Sequence, residues 1–271
     1  MNNFILITKY PRNTIVLARL GSTLRDKLII VITQVWFTLQ YRFGFSPSLS
    51  HPREISFVVF DNVLDITIQN TLDLAICREI FVDKQYKIQV SQMPRIIFDL
   101  GSNIGISILY FAAQFPDAHI FAFEPDPDNI KLLKMNVKTL GDRVTIIEKA
   151  VSPKPCKKIR LYKFSDAHWS SSLLERDGAT TYVDVETTSI DVVMKEFDID
   201  NIDILKFDIE GSEESVLTSF KNILKVKLLI GELHPQLMEN SIDSFISGIN
   251  GFELLQPVRD NIVVLINTRL S

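Results

Sequence analysis

A chain of 271 residues with 29 Lys/Arg, 33 Asp/Glu, a formal charge of −4 and 46% hydrophobic side chains has enough apolar content to build a core, which excludes a disordered polypeptide. Its length allows one large domain with an extension or two small domains, of which the first fits better, and its mildly acidic balance supplies no general field for phosphates, so nucleic acid is not an expected partner. Cys77 and Cys156 lie far apart and form no CxxC or Cys/His cluster, which argues against structural zinc and a disulfide scaffold and makes a reducing, cytoplasmic setting the expectation.

The first positive side chain is Lys9, and the apolar run Phe4 to Ile7 is too short for a signal-peptide core. The most apolar stretch, LIIVITQVWFTL from Leu28 to Leu39, falls short of the roughly 18 residues that a spanning helix requires, so no transmembrane segment is expected. On a helix over 24–41, Asp26, Lys27, Thr33, Gln34, Thr38 and Gln40 gather on one side, with Leu28, Ile32, Val35, Trp36 and Leu39 elsewhere. This wide apolar face is expected to pack on the domain or on a second subunit. Peripheral membrane contact through residues 24–41 is the alternative, with only Arg25 and Lys27 as nearby cations. A Pro/Ser-rich break follows (Ser46 to Pro52), then a hairpin of Ile55 to Phe60 and Leu64 to Gln69 turning at Asp61-Asn62, and a helix from Leu72 to Phe81. Residues 1–90 therefore read as an extension, and 91–271 as the main domain.

From Arg95 the pattern changes to strands alternating with helices, the signature of a parallel α/β sheet. Strands are predicted at Arg95–Asp99, His119–Glu124, Val144–Glu148, Ile202–Asp208 and Val226–Glu232, each ending in or beside an acid. Helices are predicted at Ile104–Gln114, Pro127–Thr139, Ser212–Phe220 and Gln236–Ile246. The closing segments Phe252–Gln256 and Asn261–Ile266 read as an antiparallel hairpin.

Ligands of open α/β sheets bind at the carboxyl ends of strands, so the residues there carry the chemistry. In IIFDLGSNIGISILYFA a strand ends in Asp99, and a loop with Gly101 and Gly105 leads into a helix. This D-x-G-x-x-x-G pattern differs from the G-x-G-x-x-G of dinucleotide binders: an acid before the glycines suits an ammonium group better than a diphosphate. Glu124 ends the second strand, where a carboxylate can accept from both hydroxyls of a ribose, and Glu148-Lys149-Ala150 ends the third, where it can border an adenine. Together they favour a nucleoside with an amino-acid tail, a description that fits S-adenosyl-methionine.

DLGSNIG, FEPDPDN, EKAVS, LKFDIEGSEESVL and GELH resemble, in order, the motifs of the FkbM family of S-adenosyl-methionine-dependent methyltransferases, from about Arg95 to His234. REIFVDKQY, Arg78 to Tyr86, is more loosely similar to the segment before the first motif. The resemblance implies the class I methyltransferase fold, a Rossmann-like, mostly parallel sheet with a C-terminal antiparallel hairpin and here an N-terminal helical and hairpin extension. It also implies methyl transfer to a small-molecule acceptor, most often a hydroxyl of a sugar, polyketide or other glycan-like compound. Asp99, Gly101, Asn103 and Gly105 would then belong to the methionine-end loop, Glu124 to the ribose, Glu148 and Ala150 to the adenine border, and Asp208, Glu210 and Glu213 to the D-I-E-G-x-E motif.

Methyl transfer needs the acceptor held in line and its proton removed or shared. Asp208, Glu210 and His234 are the catalytic candidates. His234 follows the fifth strand as a neutral imidazole poised near physiological pH. Glu214 reads as a helix N-terminal acid, and His51 and His119 as structural or solvated. His168, with Trp169 and three serines, sits in a connection that either lines an acceptor pocket or is a surface loop. A divalent cation at Asp208, Glu210, Glu232 and His234 has no diagnostic spacing, so no metal is assigned. The competing functions are a cofactor-binding module without turnover and a nicotinamide-dependent oxidoreductase. The second is weakened by the missing G-x-G-x-x-G and by the absence of a Tyr-x-x-x-Lys pair.

Overall fold

The computed structural model describes residues 11–43, 48–164, 167–175 and 178–270, so the run Phe4 to Ile7, Ser46 with Pro47, and Asp166 lie outside the described residues. The chain divides into two compact units. One comprises Met1–Lys87, Ile104–Pro116 and Leu132–Thr139, the other Ile88–Asn103, Asp117–Lys131 and Leu140–Ser271.

The first unit opens with helices α1 (Pro11–Arg19) and α2 (Leu24–Arg42). A reciprocal cap starts α2: the Asp26 amide donates to Thr23 Oγ1 at 3.1 Å, and the Thr23 amide donates to Asp26 Oδ2 at 3.1 Å. Burial reverses the expected orientation of this helix. Asp26, Ile30, Thr33 and Phe37 turn inward, whereas Leu28, Ile32, Val35, Trp36 and Leu39 are exposed. The inward polar groups are satisfied, since Asp26 also accepts from Ser22 Oγ at 2.9 Å and Thr33 Oγ1 accepts from Arg53 at 3.2 Å. The helix wheel therefore assigned the buried side by composition, while capping and local hydrogen bonds set it in the fold.

The hairpin joins β1 (Ser48–Val59) to β2 (Asn62–Asn70). Its turn residues are Phe60 and Asp61, one place earlier than the sequence suggested, with φ of 49° and 61°. Positive φ at both central residues matches the right-handed twist of paired strands, and Asn62 Nδ2 donates to the Phe60 carbonyl at 2.8 Å. His51 and Pro52, expected in a break, fall within β1, where an irregularity between Ser48 and Arg53 accommodates the proline.

Helix α3 (Thr71–Phe81) begins with a capping box between Asn70 and Asp73. The unit is completed by α4 (Ile106–Gln114) and the last turns of α5 (Pro127–Asn136). Tyr86 stacks on Phe111 at 6.0 Å in its interior, and the exposed ring of Phe60 tilts against buried Tyr110 at 5.1 Å. The buried Asn136 amide stitches three backbone groups. Its Oδ1 accepts from Thr67 N at 2.7 Å, and its Nδ2 donates to the Thr67 and Ile104 carbonyls at 3.3 and 2.8 Å.

The second unit is built on seven strands: β3 (Ile96–Leu100), β4 (His119–Phe123), β5 (Val144–Ile147), β11 (Ile202–Phe207), β12 (Val226–Glu232), β13 (Phe252–Leu254) and β14 (Ile262–Asn267). Their order is β13-β14-β12-β11-β3-β4-β5, parallel except where β14 pairs antiparallel with β12 and β13. The expected mostly parallel sheet closed by an antiparallel hairpin is therefore present. Strand boundaries lie within one residue of the predicted ones for β3, β4, β5, β11 and β12; except for the half-buried β5, these strands are buried on both faces and read as short continuous apolar runs. Phe98, Phe121, Phe123, Leu205, Phe207, Leu229 and Val263 form the core around this sheet.

Between β5 and β11 the chain holds what sequence left as a connection: the short parallel pair β6 (Ala150–Val151) and β10 (Thr187–Thr188), an antiparallel meander β7 (Ile159–Phe164), β8 (Ala167–Ser172) and β9 (Ala179–Val185), and α6 (Ile190–Glu196). Helix α7 (Glu213–Ser219) follows β11. The helix expected from Gln236 begins instead at Ile242, as α8 (Ile242–Gly248), after a 3-10 turn at Pro235–Leu237. The Glu214 carboxylate takes the Glu239 amide at 2.8 Å, and Ser241 caps α8 by accepting from Ser244 N at 3.2 Å. Replacing Asn136 by Ala should cost about 1–3 kcal/mol in chemical denaturation, because three buried backbone groups lose their partner. A loss below 0.5 kcal/mol would remove this amide from the stabilising contacts.

Candidate active site at the carboxyl ends of the sheet

The site grows from adjacent strands β3 and β11, which pair with Lys206 beside Asp99. A charge inside a parallel sheet must be neutralised. Lys206 Nζ lies 2.9 Å from Asp99 Oδ1 and donates to the carbonyls of Gly101 at 2.7 Å and Leu100 at 3.3 Å. Burial alone would lower its pKa, but the nearby charges of Asp99 and Asp208 raise it, so the ammonium persists. Asp99, expected to face a ligand's ammonium group, is fully buried and turned to Lys206.

The loop after β3 is tied to both neighbouring strands. The Gly101 and Ser102 amides donate to the Phe123 carbonyl at 3.0 and 2.9 Å, and Asp208 N donates to the Leu100 carbonyl at 3.1 Å. Gly101 has φ of 78°, and a Cβ there would collide with the Asp208 carbonyl oxygen. Asn103 is also left-handed, at φ 50°, and its amide donates to Glu124 Oε2 at 2.8 Å. Gly105, at φ 90°, caps α4.

Glu124 is only 4% exposed. Its Oε1 accepts from Asp126 N at 2.8 Å and from Asn129 Nδ2 at 3.3 Å, so with Asn103 three of the roughly four lone-pair sites of the carboxylate are in use. Burial pushes its pKa up to about 7. Sequence reasoning missed Asp126, whose Oδ1 accepts from Lys163 Nζ at 2.8 Å and whose Oδ2 accepts from Ser171 Oγ at 3.2 Å. Glu148 is exposed. Ala150 is buried, and its amide is committed to the Glu186 carbonyl at 2.9 Å.

On the other side of Lys206 the D-I-E-G-x-E segment folds around a buried carboxylate. Glu213 Oε1 accepts from Ile209 N at 3.0 Å, its Oε2 accepts from Gly211 N at 2.9 Å, and its Oε1 meets His234 Nδ1 at 2.9 Å. Glu210, at φ 53°, projects beside it with its Oε2 3.5 Å from His234 Nε2. Oxygen atoms of Asp208 and Glu210 and a ring nitrogen of His234 all lie within 4.8 Å of one another. The fold thus gathers the three catalytic candidates.

The state of His234 differs from the neutral imidazole expected. Burial would lower its pKa, but the hydrogen bond to Glu213 and the charges of Glu213, Asp208 and Glu210 push it up to about 10. An imidazolium has no lone pair to accept a proton or ligate a metal, and at neutral pH the ring serves as a cationic bridge between two carboxylates. Glu214 is a tether, accepting from Asn240 Nδ2 at 2.6 Å and from the Glu239 amide. His119 Nε2 meets Thr145 Oγ1 at 2.8 Å at the opposite end of the strands, and the side chains of His168 and Trp169 lie outside the described residues. Around Lys206 and His234 the acids Asp99, Asp208, Glu210 and Glu213 outnumber the two cations, so these strand ends carry an excess of negative charge.

A family model described as the methyltransferase FkbM domain matches residues 99–252. The chain is 30% identical over 199 residues to Methyltransferase sdnD of Sordaria araneosa, covering 62% of this chain and 72% of that protein. It is 27% identical over 203 residues to 2-O-methyltransferase NoeI of Sinorhizobium fredii, covering 65% and 80%. It is 25% identical over 162 residues to Hexuronic acid methyltransferase AglP of Haloferax volcanii, covering 56% and 61%.

Lys206→Met should destabilise the protein by about 3–5 kcal/mol in urea, because it strands a buried carboxylate, and adding Asp99→Leu should restore part of that loss. Equal additive losses in the double variant would show that the pair is uncoupled. His234 has a folded pKa raised above its unfolded value, so its stabilisation is complete below about 6.5 and is lost as pH rises through about 10. Unfolding free energy should therefore fall between about pH 6.5 and 10, and a His234→Gln variant should lack that part of the decline.

Proposed function

The chain belongs to the FkbM family of methyltransferases, and from that premise we propose that its methyl donor is S-adenosyl-methionine and its acceptor a hydroxyl of a sugar, polyketide or similar small molecule. The family match overturns the oxidoreductase alternative. Three features of the chain fit this donor: a glycine loop whose backbone lies where a Cβ would intrude, a carboxylate at Glu124 with about one lone-pair site left for a ribose hydroxyl, and an excess of negative charge suited to a cationic ligand. When bound, the sulfonium supplies an already activated methyl group.

In this reading Glu124 and the loop from Gly101 to Gly105 hold the nucleoside and its tail, and the strand ends at Glu148 and Ala150 border the base. Asp99 acts through Lys206, which fixes the loop carbonyls. The single observation that carries the acceptor side is the convergence of Asp208, Glu210 and His234. The Asp208 and Glu210 carboxylates orient a hydroxyl and take its proton as the oxygen becomes methylated. The His234 imidazolium holds Glu210 and Glu213 in place rather than acting as the base. A sugar or other hydroxylated acceptor accords with the names of the 2-O- and hexuronic acid methyltransferases to which the chain is similar.

S-adenosyl-homocysteine at a hundred times its Kd should stabilise the fold by about 2.7 kcal/mol and raise the melting temperature, whereas NAD should leave it unchanged. No shift, or a shift with NAD alone, would refute the donor assignment. Asp208→Asn should lower transfer of a labelled methyl group to hydroxylated acceptors by about 10²–10⁴-fold while keeping the melting shift, and full activity in that variant would remove Asp208 from the chemistry. A wild-type protein that shows the shift but labels no hydroxylated acceptor would favour a binding module without turnover.

A further inference from the structure

The helix α2 carries an apolar stripe that the other described residues leave uncovered. Leu24, Leu28, Val31, Val35 and Leu39 recur at spacings of three and four, with Ile32 and Trp36 beside them, and all are between 37% and 74% exposed. Phe43, one residue past the helix, extends the stripe at 72% exposed, and a helix of 19 residues makes it about 28 Å long. Solvated leucines scattered singly need no explanation, but a continuous helical face of this length does.

Charge identifies what covers it. Asp26 is the one acid before Glu54, and it is buried and hydrogen-bonded to Ser22 and Thr23, so every exposed charge on α2 is positive: Arg25, Lys27 and Arg42. Residues 1–53 contain seven Lys/Arg and this single acid, a formal charge of +6, against −10 for the rest of the chain. A second copy docked on the same face across a two-fold axis would bring these cations together with no exposed acid on the helix to offset them. A bilayer bearing anionic headgroups satisfies both features at once, taking the apolar stripe into its interfacial region and the flanking cations at its surface. No helix among the described residues is long and apolar enough to cross a membrane, so the contact is one of lying on the surface.

We propose that α2 is an interfacial helix that docks this protein on anionic phospholipid bilayers through Leu24, Leu28, Ile32, Val35, Trp36 and Phe43. The inference is independent of the methyl acceptor, and its readout is binding. Full-length protein should co-float with vesicles of phosphatidylcholine containing 30% phosphatidylglycerol, and less with pure phosphatidylcholine. In a Trp169→Phe background, which leaves Trp36 as the sole tryptophan, emission should shift to the blue on those vesicles. Arg25→Glu with Lys27→Glu should lower partitioning by roughly 30-fold or more, and high salt should weaken it. Ile32→Glu with Trp36→Glu alters only exposed side chains, so it should keep the circular dichroism and melting temperature of the parent yet abolish flotation. Absence of flotation by the wild-type protein, or flotation unchanged in both variant pairs, would overturn the proposal. A concentration-dependent dimer in sedimentation, lost in Ile32→Glu with Trp36→Glu and unaffected by vesicles, would assign the face to a second copy instead.

Discussion

The buried ammonium of Lys206 is the constraint around which the strand ends are organised. It stands at the one position in β11 where a parallel sheet interior receives a charge, and it is held there by Asp99 on the neighbouring strand. Because its remaining protons go to the Leu100 and Gly101 carbonyls, the direction in which the chain leaves β3 is set by a side chain of β11. The loop amides then reach the Phe123 carbonyl of β4, and three neighbouring strands become one rigid edge. Glycine at 101 follows from this closeness, since the Asp208 carbonyl occupies the space of its missing Cβ.

A second buried charge system sits beside the first and divides labour among its acids. Glu213 gives its oxygens to backbone amides and to His234, which makes it the scaffold of the D-I-E-G-x-E segment. Glu214 ties down the segment after β12, and Asp208 and Glu210 remain at the partly open rim. Carboxylates that look equivalent in a row of four acids are therefore separated by what their oxygens already hold. The same logic changes His234: an imidazole surrounded by three carboxylates is kept protonated, and its contribution passes from accepting a proton to positioning those that can.

The α2 helix shows the limit of periodicity as a guide to burial. Its capping box was encoded locally by Thr23 and Asp26, and once that aspartate turned inward the stripe Asp26, Ile30, Thr33 and Phe37 had to follow. Which side of a helix faces the interior is decided by its neighbours and their hydrogen-bond needs, here Ser22, Ser56 and Arg53. The meander escaped detection for a related reason: β7 and β9 are largely half-exposed or exposed, so they lack the continuous apolar runs that marked β3, β4, β11 and β12.

Sequence alone determined the strand frame, the closing hairpin, the family and the identity of the acids at the carboxyl ends, because each is written in a short contiguous stretch: an apolar run, a turn, a glycine pattern. It also placed His234 on the rim of Asp208, since each stands at the carboxyl end of a strand in a parallel sheet. Only the tertiary structure decided that Asp99 faces Lys206, that Glu213 is scaffold rather than ligand, that His234 is cationic, and that the apolar side of α2 faces outward. Those outcomes depend on which groups meet across 20 to 110 residues of chain, and the desolvation and charge of such meetings have no signature in local spacing.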